Sequence, residues 1–573
     1  MVEFVSSGGV VVDLKPNQDL ALTLENAFLS SDHIPVAWTT DAEASRSEKN
    51  CRLFGYPDAM LFPFQHKEIN VEMRINSIPV MLGKLKLIGP TQNALKVSFS
   101  GVSIEDSLMG SLVDAPLNKW EFGSLAGDRT LFNEVISGAQ QNTREDFALP
   151  LMIRESEKDT ADDYIANSLI GSIPYESWAV KYLNSPKCCY VTPVVKLKYI
   201  LQTVFADCMI DEAYSEYLNN LGIIAPYRRT AGYSLDGTYN LPYDKPLNFI
   251  LDLADSMPDV TVVDFVKDLL SIFCATLYVT KYGKQMISNN AIIQNMDYDD
   301  WSGKVADDME QEFEDGQSYE YGFTGVADSE IIGTITDCQS IGDCLNSDEG
   351  TIVRCLATGD IYKKIKRPYI AGHDSGTYYV NGLEIIRQEG MLTQETADKS
   401  LDTYSATSGW VPVKSLPYLF RYSVDMLQLT DGIMIPIVEM PTVGGTRPST
   451  IQFGMLDKGY KGEFAPEVQF TSNGYISIGG GLSNYFYPGT SPALNLHGTN
   501  GIYEKFHHAF QEWLVKDKTV TKVSVNLTAA DIANLQIWRK IMLYNQLFFI
   551  KTLSITLNTS TDNIHSEAEL IAA

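Results

Sequence analysis

The sequence predicts a β-rich α+β protein of several domains. Three observations predict it. Short runs alternate apolar and polar residues near both ends of the chain, an amphipathic helical stretch lies in the middle, and a long region between residues 331 and 514 is rich in Gly, Tyr, Pro and Thr. At 573 residues the chain has room for roughly three or four domains. Each is large enough to bury a core without metals or disulfides.

The first 120 residues read as a β domain. Ile69, Val71, Met73 and Ile75 alternate with Glu68, Asn70, Glu72, Arg74 and Asn76, which marks a strand with one wet face. A turn is expected near Pro79 and Gly83, followed by Leu85 and Leu87. Leu95, Val97 and Phe99 then alternate with Lys96, Ser98 and Ser100. Val10–Val12 and Leu20–Leu24 are shorter strand candidates, and this spacing suggests a barrel or a sandwich. Residues 121–174 form a mixed connector, in which 155–166 is acidic and reads as a loop or a surface helix.

Residues 175–300 read as a helix-plus-hairpin α/β domain. Leu197, Ile200, Leu201, Val204 and Phe205 share one helical face. Thr261 and Asp264 match a capping box, opening a helix whose stripe is Val262, Phe265, Val266, Leu269, Leu270 and Phe273. Thr276–Val279 and Gln285–Ile287 flank Lys281-Tyr282-Gly283-Lys284 as a hairpin. Residues 301–330 continue an acidic run that starts at Asp297. Its offsets do not match a calcium loop, so it reads as a solvated acidic connector.

Residues 331–514 read as a loop-rich β region. Strands are expected at Thr377–Val380, Ile451–Phe453 and Tyr475–Ile478, and a short helix at Glu504–Leu514. Residues 515–573 form a C-terminal β domain. Val523, Val525 and Leu527 alternate, Thr528–Asp531 caps a short helix through Leu535, and Leu547–Ile550 and Leu553–Leu557 read as two strands.

Forty-four basic residues against 72 acidic ones give a formal charge of −28. That balance disfavours sequence-independent nucleic-acid binding, although it suits the wall of a channel through which DNA passes without sticking. The one short basic run, Lys363-Lys364-Ile365-Lys366-Arg367, reads as a solvated loop before Pro368. The eight cysteines form no CxxC pair and several lie in apolar runs, as expected of buried thiols made in a reducing compartment. The N-terminus shows no secretory pattern, and no stretch reaches the length of a transmembrane helix.

No catalytic, cofactor-binding or metal-binding residue is assigned, and no cofactor is expected. Gly372-His373-Asp374-Ser375-Gly376 places triad residue types side by side, yet triads are assembled from distant positions. Gly479-Gly480-Gly481 lacks the lysine and the helix of a phosphate loop. His507 and His508 are neighbours on a helix and point in different directions. A carboxylate pair for glycoside hydrolysis stays open as the enzymatic alternative, because such pairs are distant in sequence. Thirty tyrosines fit either β-layer packing or protein interfaces, the latter above all at 400–500.

Several segments resemble tail proteins of phages and prophages of gut anaerobes. They are Val12–Pro16 with Leu24–Asn26 and Ile34–Val36, Asn50–Pro57, Pro193–Phe205, Asp264–Cys274, and Val523–Leu527 with Phe548–Leu553 and Ser566–Leu570. Their order along the chain carries the resemblance. It implies a baseplate or tail-tip hub made of small tube-like β-barrel domains, one from residues 1–120 and part of a second from 515–573. It also implies a homo-oligomer, with a trimer favoured, that contacts tail-tube and tail-tip or fibre proteins. Such a protein is made in the host bacterial cytoplasm and resides in the virion tail. A distal tail adaptor of different ring size is the structural alternative. A hub carrying a carbohydrate-binding or polysaccharide-hydrolase module in 331–514 is the other.

Overall fold

A computed structural model describes chiefly residues 1–57, 68–122, 194–224, 249–356 and 501–573, with short gaps inside those ranges, and isolated pieces of the chain between them. The architecture is β-rich α+β, as the alternation patterns predict, with several sheets and few helices.

Two of the sheets close on themselves. In the first, strands Val2–Ser6, Glu68–Ile75, Ile78–Pro90, Ala94–Gly101 and Thr39–Ser45 are neighbours in that order. The segment from Val10 to Lys15 then bridges the two outer strands. Val12 N donates to Phe4 O at 2.8 Å on one side, and Lys15 N donates to Glu43 O at 2.8 Å on the other. Val71, Met73, Ile75, Leu85, Leu87, Leu95, Val97 and Phe99 fill the interior, so the predicted alternation holds.

The turn in this barrel differs from expectation. It falls at Asn76 and Ser77, with φ of 52° and 68°, and Pro79 and Gly83 lie inside the strand Ile78–Pro90. Two left-handed residues in a two-residue loop match the right-handed twist of the strands, and here they do so without glycine. Gly83 has a different reason to be glycine: a Cβ there would lie 2.2 Å from Ser100 O and 2.6 Å from the Phe99 ring.

The second sheet takes strands from distant parts of the chain. Lys540–Leu543, Gln546–Asn558, Ile564–Ala572 and Lys518–Val525 are consecutive neighbours. The acidic stretch, expected as a connector, closes the ring. Tyr298–Asp300 pairs in parallel with Lys540–Met542, and Val305 bridges to Val525. Glu310–Glu314 pairs with Lys518–Lys522. A β bridge needs no apolar face where one side is solvent, which is why composition alone read this stretch as a loop.

Leu547–Ile550 and Leu553–Leu557, expected as two strands, form one 13-residue strand, Gln546–Asn558. A bulge near Lys551 interrupts its register. Before the bulge its outer neighbour is Lys540–Leu543; after it, the neighbour is Asp19–Glu25 from the N-terminus. The same N-terminal stretch therefore closes one barrel with residues 10–15 and joins the other with residues 19–25.

The helix-plus-hairpin unit packs against the segment that follows Asp19–Glu25 and against the C-terminal part, Tyr278 meeting both Asn26 and Trp538. Helix Val262–Ile272 starts at Thr261, whose hydroxyl accepts from Asp264 N at 3.0 Å, as the capping pattern predicts. It leads to the hairpin Ala275–Thr280 and Gly283–Ser288. Cys274 turns the chain between helix and hairpin with φ of 44°, the position where glycine usually ends a helix. Helix Leu197–Val204 buries Leu197, Ile200 and Leu201.

Strands of the 331–514 region serve several sheets. Thr403–Ser408 runs parallel to Ser318–Phe323, and Gln452–Ile224 pairing ties Gln452–Lys458 to Leu221–Ile224. Ile335–Ile386 instead makes a four-stranded sheet of its own members. In it, Ile361–Ile370 is a strand where the basic run had been expected to be a loop. The short helix Ile341–Leu345 lies beside these strands and carries a full Ser340–Asp343 capping box.

The N-terminal strand ends in a node. The Asn26 side chain, 3% exposed, donates to Ile537 O and Ile550 O at 2.9 Å each and accepts from Tyr278 Oη at 3.0 Å. Two residues on, the Phe28 ring meets Phe510, Trp513 and Phe549, with centroids 6.1, 5.8 and 5.0 Å away. Asn26→Ala strands these partners inside the core, and we expect it to destabilise the chain by about 3 kcal/mol in urea unfolding, since each buried orphan costs about 1–3 kcal/mol. Gly83→Ala forces the first barrel apart locally and should cost about 1–3 kcal/mol in the same measurement.

Candidate functional site

The densest set of chemically capable side chains lies where the helix-plus-hairpin unit meets the C-terminal part. Segment Tyr503–His507 is a wide helical turn that continues as helix His508–Leu514, as the spacing of Phe506, Phe510, Trp513 and Leu514 predicts. The two histidines diverge as expected. His507 is 1% exposed, whereas His508 lies outside, within 3.2 Å of Glu504 and 3.4 Å of Glu512.

His507 Nε2 is 2.8 Å from Ile272 O, which requires a proton on that nitrogen. Nδ1 is then the acceptor, and Tyr319 Oη donates to it at 2.6 Å. Tyr319 Oη also lies 3.7 Å from Cys274 Sγ. Asn289 Nδ2 reaches the same sulfur at 3.6 Å and receives Thr276 Oγ1 on its oxygen at 2.6 Å.

Histidine, tyrosine and thiol in one chain of contacts resemble a nucleophile with its base. The surroundings give them a different role. Burial pushes His507 down to about 4 and the Cys274 thiol up to about 12, and it holds Tyr319 well above its ordinary value. A thiol so disfavoured as thiolate, sealed beneath aromatic rings, has neither charge nor access for attack. The network instead fixes the helix end at Ile272, the strand at Tyr319 and the turn at His507 against one another. Sequence reasoning placed His507 on the correct helix but did not see its partners, which are 188 and 235 residues away.

The outer wall of the second barrel is the other candidate. Its closing stretch pairs acid to base across strands: Asp299 with Arg539 at 3.0 Å, Lys304 with Asp531 at 2.8 Å, Glu312 with Lys522 at 2.9 Å and Glu314 with Lys551 at 2.6 Å. Phe313, between two of these glutamates, is 90% exposed. Its strand, Glu310–Glu314, pairs with Lys518–Lys522 on one side and has no second neighbour among the described residues.

Among the described residues no group of three or more His, Cys, Asp or Glu is arranged to hold a metal ion. No described helix is long and apolar enough to cross a membrane. Gly372–Gly376 lies outside the described residues, and Gly479 and Gly480 end a strand, Tyr475–Gly480, hairpinned to Ser483–Pro488. Within 400–500, Tyr404 is buried and donates to Phe28 O and Ser30 O at 3.3 and 3.1 Å; the side chains of the other tyrosines there lie outside the described residues.

The fold thus defines a multidomain α+β protein assembled around two closed β rings that share one N-terminal strand segment. No family model matches the chain, and no curated protein does. Among solved structures it is similar to the 43 kDa tail protein of prophage MuSo2 from Shewanella oneidensis, at 7% identity and a TM-score of 0.30, covering 100% of this chain and 98% of that one. It is also similar to a tail protein from Neisseria meningitidis MC58, at 9% identity and a TM-score of 0.31, covering 100% and 95%. Likeness at this level leaves function to be argued from the chain itself.

The buried histidine makes a pH prediction. Its folded-state pKa near 4 lies below the ordinary 6.5, so the unfolded chain binds the proton more readily between those values. Stability is therefore full above pH 6.5 and declines as pH falls towards 4. In His507→Gln that share of the decline should vanish. The difference in unfolding free energy between the two proteins should shrink by roughly 3 kcal/mol from pH 7 to pH 4, as followed by urea titration at each pH.

Proposed function

We propose that this chain is a structural component of a phage tail: a hub, with a homotrimer favoured, that joins the tail tube to the tail tip and encloses the DNA path. It is made in the host cytoplasm and carried in the virion, and it performs no catalysis. The observation that carries the reading is the pair of closed barrels in one chain, stitched by residues 10–25. Three such chains offer six barrels, a number that a six-fold tube can seat. The resemblance of the ordered segments from Val12 to Leu570 to tail proteins points the same way. A formal charge of −28 suits a passage that DNA crosses without specific contact.

Assembly needs a surface that the lone chain leaves uncovered. The half-paired strand Glu310–Glu314 with Phe313 outermost supplies one, and a second copy of the chain is its occupant in this reading. Closed rings cover such edges, which would otherwise template aggregation.

Light scattering of the purified chain across a concentration series tests the reading. A species of three chain masses is the expected result. A six-chain ring would replace the hub with a distal tail adaptor, and a strict monomer that cleaves a host-surface polysaccharide would overturn the structural role. Phe313→Lys should lower the trimer fraction at least tenfold at a given concentration. Its circular dichroism should stay unchanged, as should its melting at dilutions where both proteins are monomers, because the ring, 90% exposed, contributes nothing to the monomer core.

A further inference from the structure

The four-stranded sheet of Ile335–Cys338, Ile352–Cys355, Ile361–Ile370 and Thr377–Ile386 carries, among the described residues, a buried cluster of its own. Its buried members are Cys344, Leu345, Val353, Cys355 and Tyr362, with Cys338 packed against them, and this cluster is separate from the main core. Three of these six side chains are thiols.

The three cysteines converge by construction. Cys338 and Cys355 end neighbouring parallel strands in direct register, which sets their Cα atoms about 4.8 Å apart, inside the window a disulfide needs. Cys344 comes from the short helix above them. That helix is held at its start by the Ser340–Asp343 capping box and at its end by the buried Lys364 ammonium, which donates to Leu345 O. The Cys344 side chain packs in one cluster with Cys355 and Cys338. Cys344 and Cys355 are fully buried, whereas Cys338 is partly exposed.

We propose that Cys338, Cys344 and Cys355 form an oxidisable thiol triad that closes one intramolecular disulfide, entered through Cys338, when the chain meets a small-molecule disulfide such as oxidised glutathione. The Cys338 thiolate attacks one sulfur of the oxidant and releases one glutathione thiolate, leaving a mixed disulfide on Cys338. A second triad thiol gives up its proton and attacks the Cys338 sulfur, releasing the second glutathione. Two protein thiols are oxidised to one disulfide, and one oxidised glutathione is reduced to two thiols. Contact with the Cys355 thiol and burial both hold the Cys344 thiol well above its ordinary pKa, so direct attack by the buried pair on an external oxidant is slow. The partly exposed Cys338 supplies the entrance. The product ties the end of Ile335–Cys338 to the cluster and pins the sheet.

The test uses the full-length protein, incubated with oxidised glutathione, unfolded in alkylating agent without reductant, and mapped by peptide mass. The expected result is a loss of two hydrogens, a peptide pair linking two of residues 338, 344 and 355, and alkylation at the third. Cys338→Ser should slow formation of any disulfide within the triad at least tenfold while the protein keeps its fold by circular dichroism. Three alkylated thiols after oxidation would overturn the proposal. So would a glutathione adduct persisting on Cys338, linkage at an unchanged rate in Cys338→Ser, or one equivalent of tightly bound zinc with all three thiols protected.

Discussion

The amide of Asn26 is the contact on which the rest of the architecture depends. It joins three stretches of chain at one point: the segment after the N-terminal strand, the Tyr278 hairpin, and the C-terminal barrel at Ile537 and Ile550. An amide has two donors and an acceptor in fixed geometry, so it can satisfy all three partners only if each stretch is in place. Hydrophobic burial of Phe28, two residues on, supplies the larger share of the free energy, but apolar contact is not directional. The pairing of a rigid polar node with an aromatic cluster gives both affinity and register, and the bulge near Lys551 is where that register changes hands between strands.

That node explains why two barrels coexist in one chain without two independent domains. A sheet with open edges invites pairing with whatever strand is near. The chain deals with this twice by the same device: a short segment that hydrogen-bonds to both outer strands, Val10–Lys15 in one ring and Tyr298–Val305 in the other. The second segment is largely polar, whereas the first carries Val10, Val11, Val12 and Leu14, of which Val12 is buried. Their backbone groups do the closing, while the interior is filled by the alternating residues of the longer strands. What is left uncovered is the strand Glu310–Glu314, which follows the second closing segment directly.

The division between what the sequence revealed and what it concealed follows from the same physics. Periodic burial was legible. The stripes at Val71–Ile75, Leu95–Phe99 and Val262–Leu270 are visible because each residue's environment repeats along its own element, and so are the threonine caps at Thr261 and Thr528. Closure was not legible, because it rests on backbone hydrogen bonds that any side chain permits. The acidic stretch was misjudged for that reason: its glutamates neutralise Lys522 and Lys551 across strands, a partnership invisible without knowing that residues more than 200 positions away lie alongside. The turn at Asn76-Ser77 was displaced onto Pro79 and Gly83 because the usual turn residues stand downstream of it, inside the next strand; Gly83 is small to admit the neighbouring strand, and its composition signal was that of packing.

The thiols show how the same residue type divides by surroundings. Cys274 sits in the main core, its sulfur contacted by Tyr319 and Asn289, and its chemistry is suppressed by burial under aromatic rings. Cys338, Cys344 and Cys355 instead share one separate cluster, where thiols pack together. Spacing did not mark them, since positions 338, 344 and 355 match no metal or redox motif. Their convergence comes from strand register and a capped helix, both of which are backbone facts.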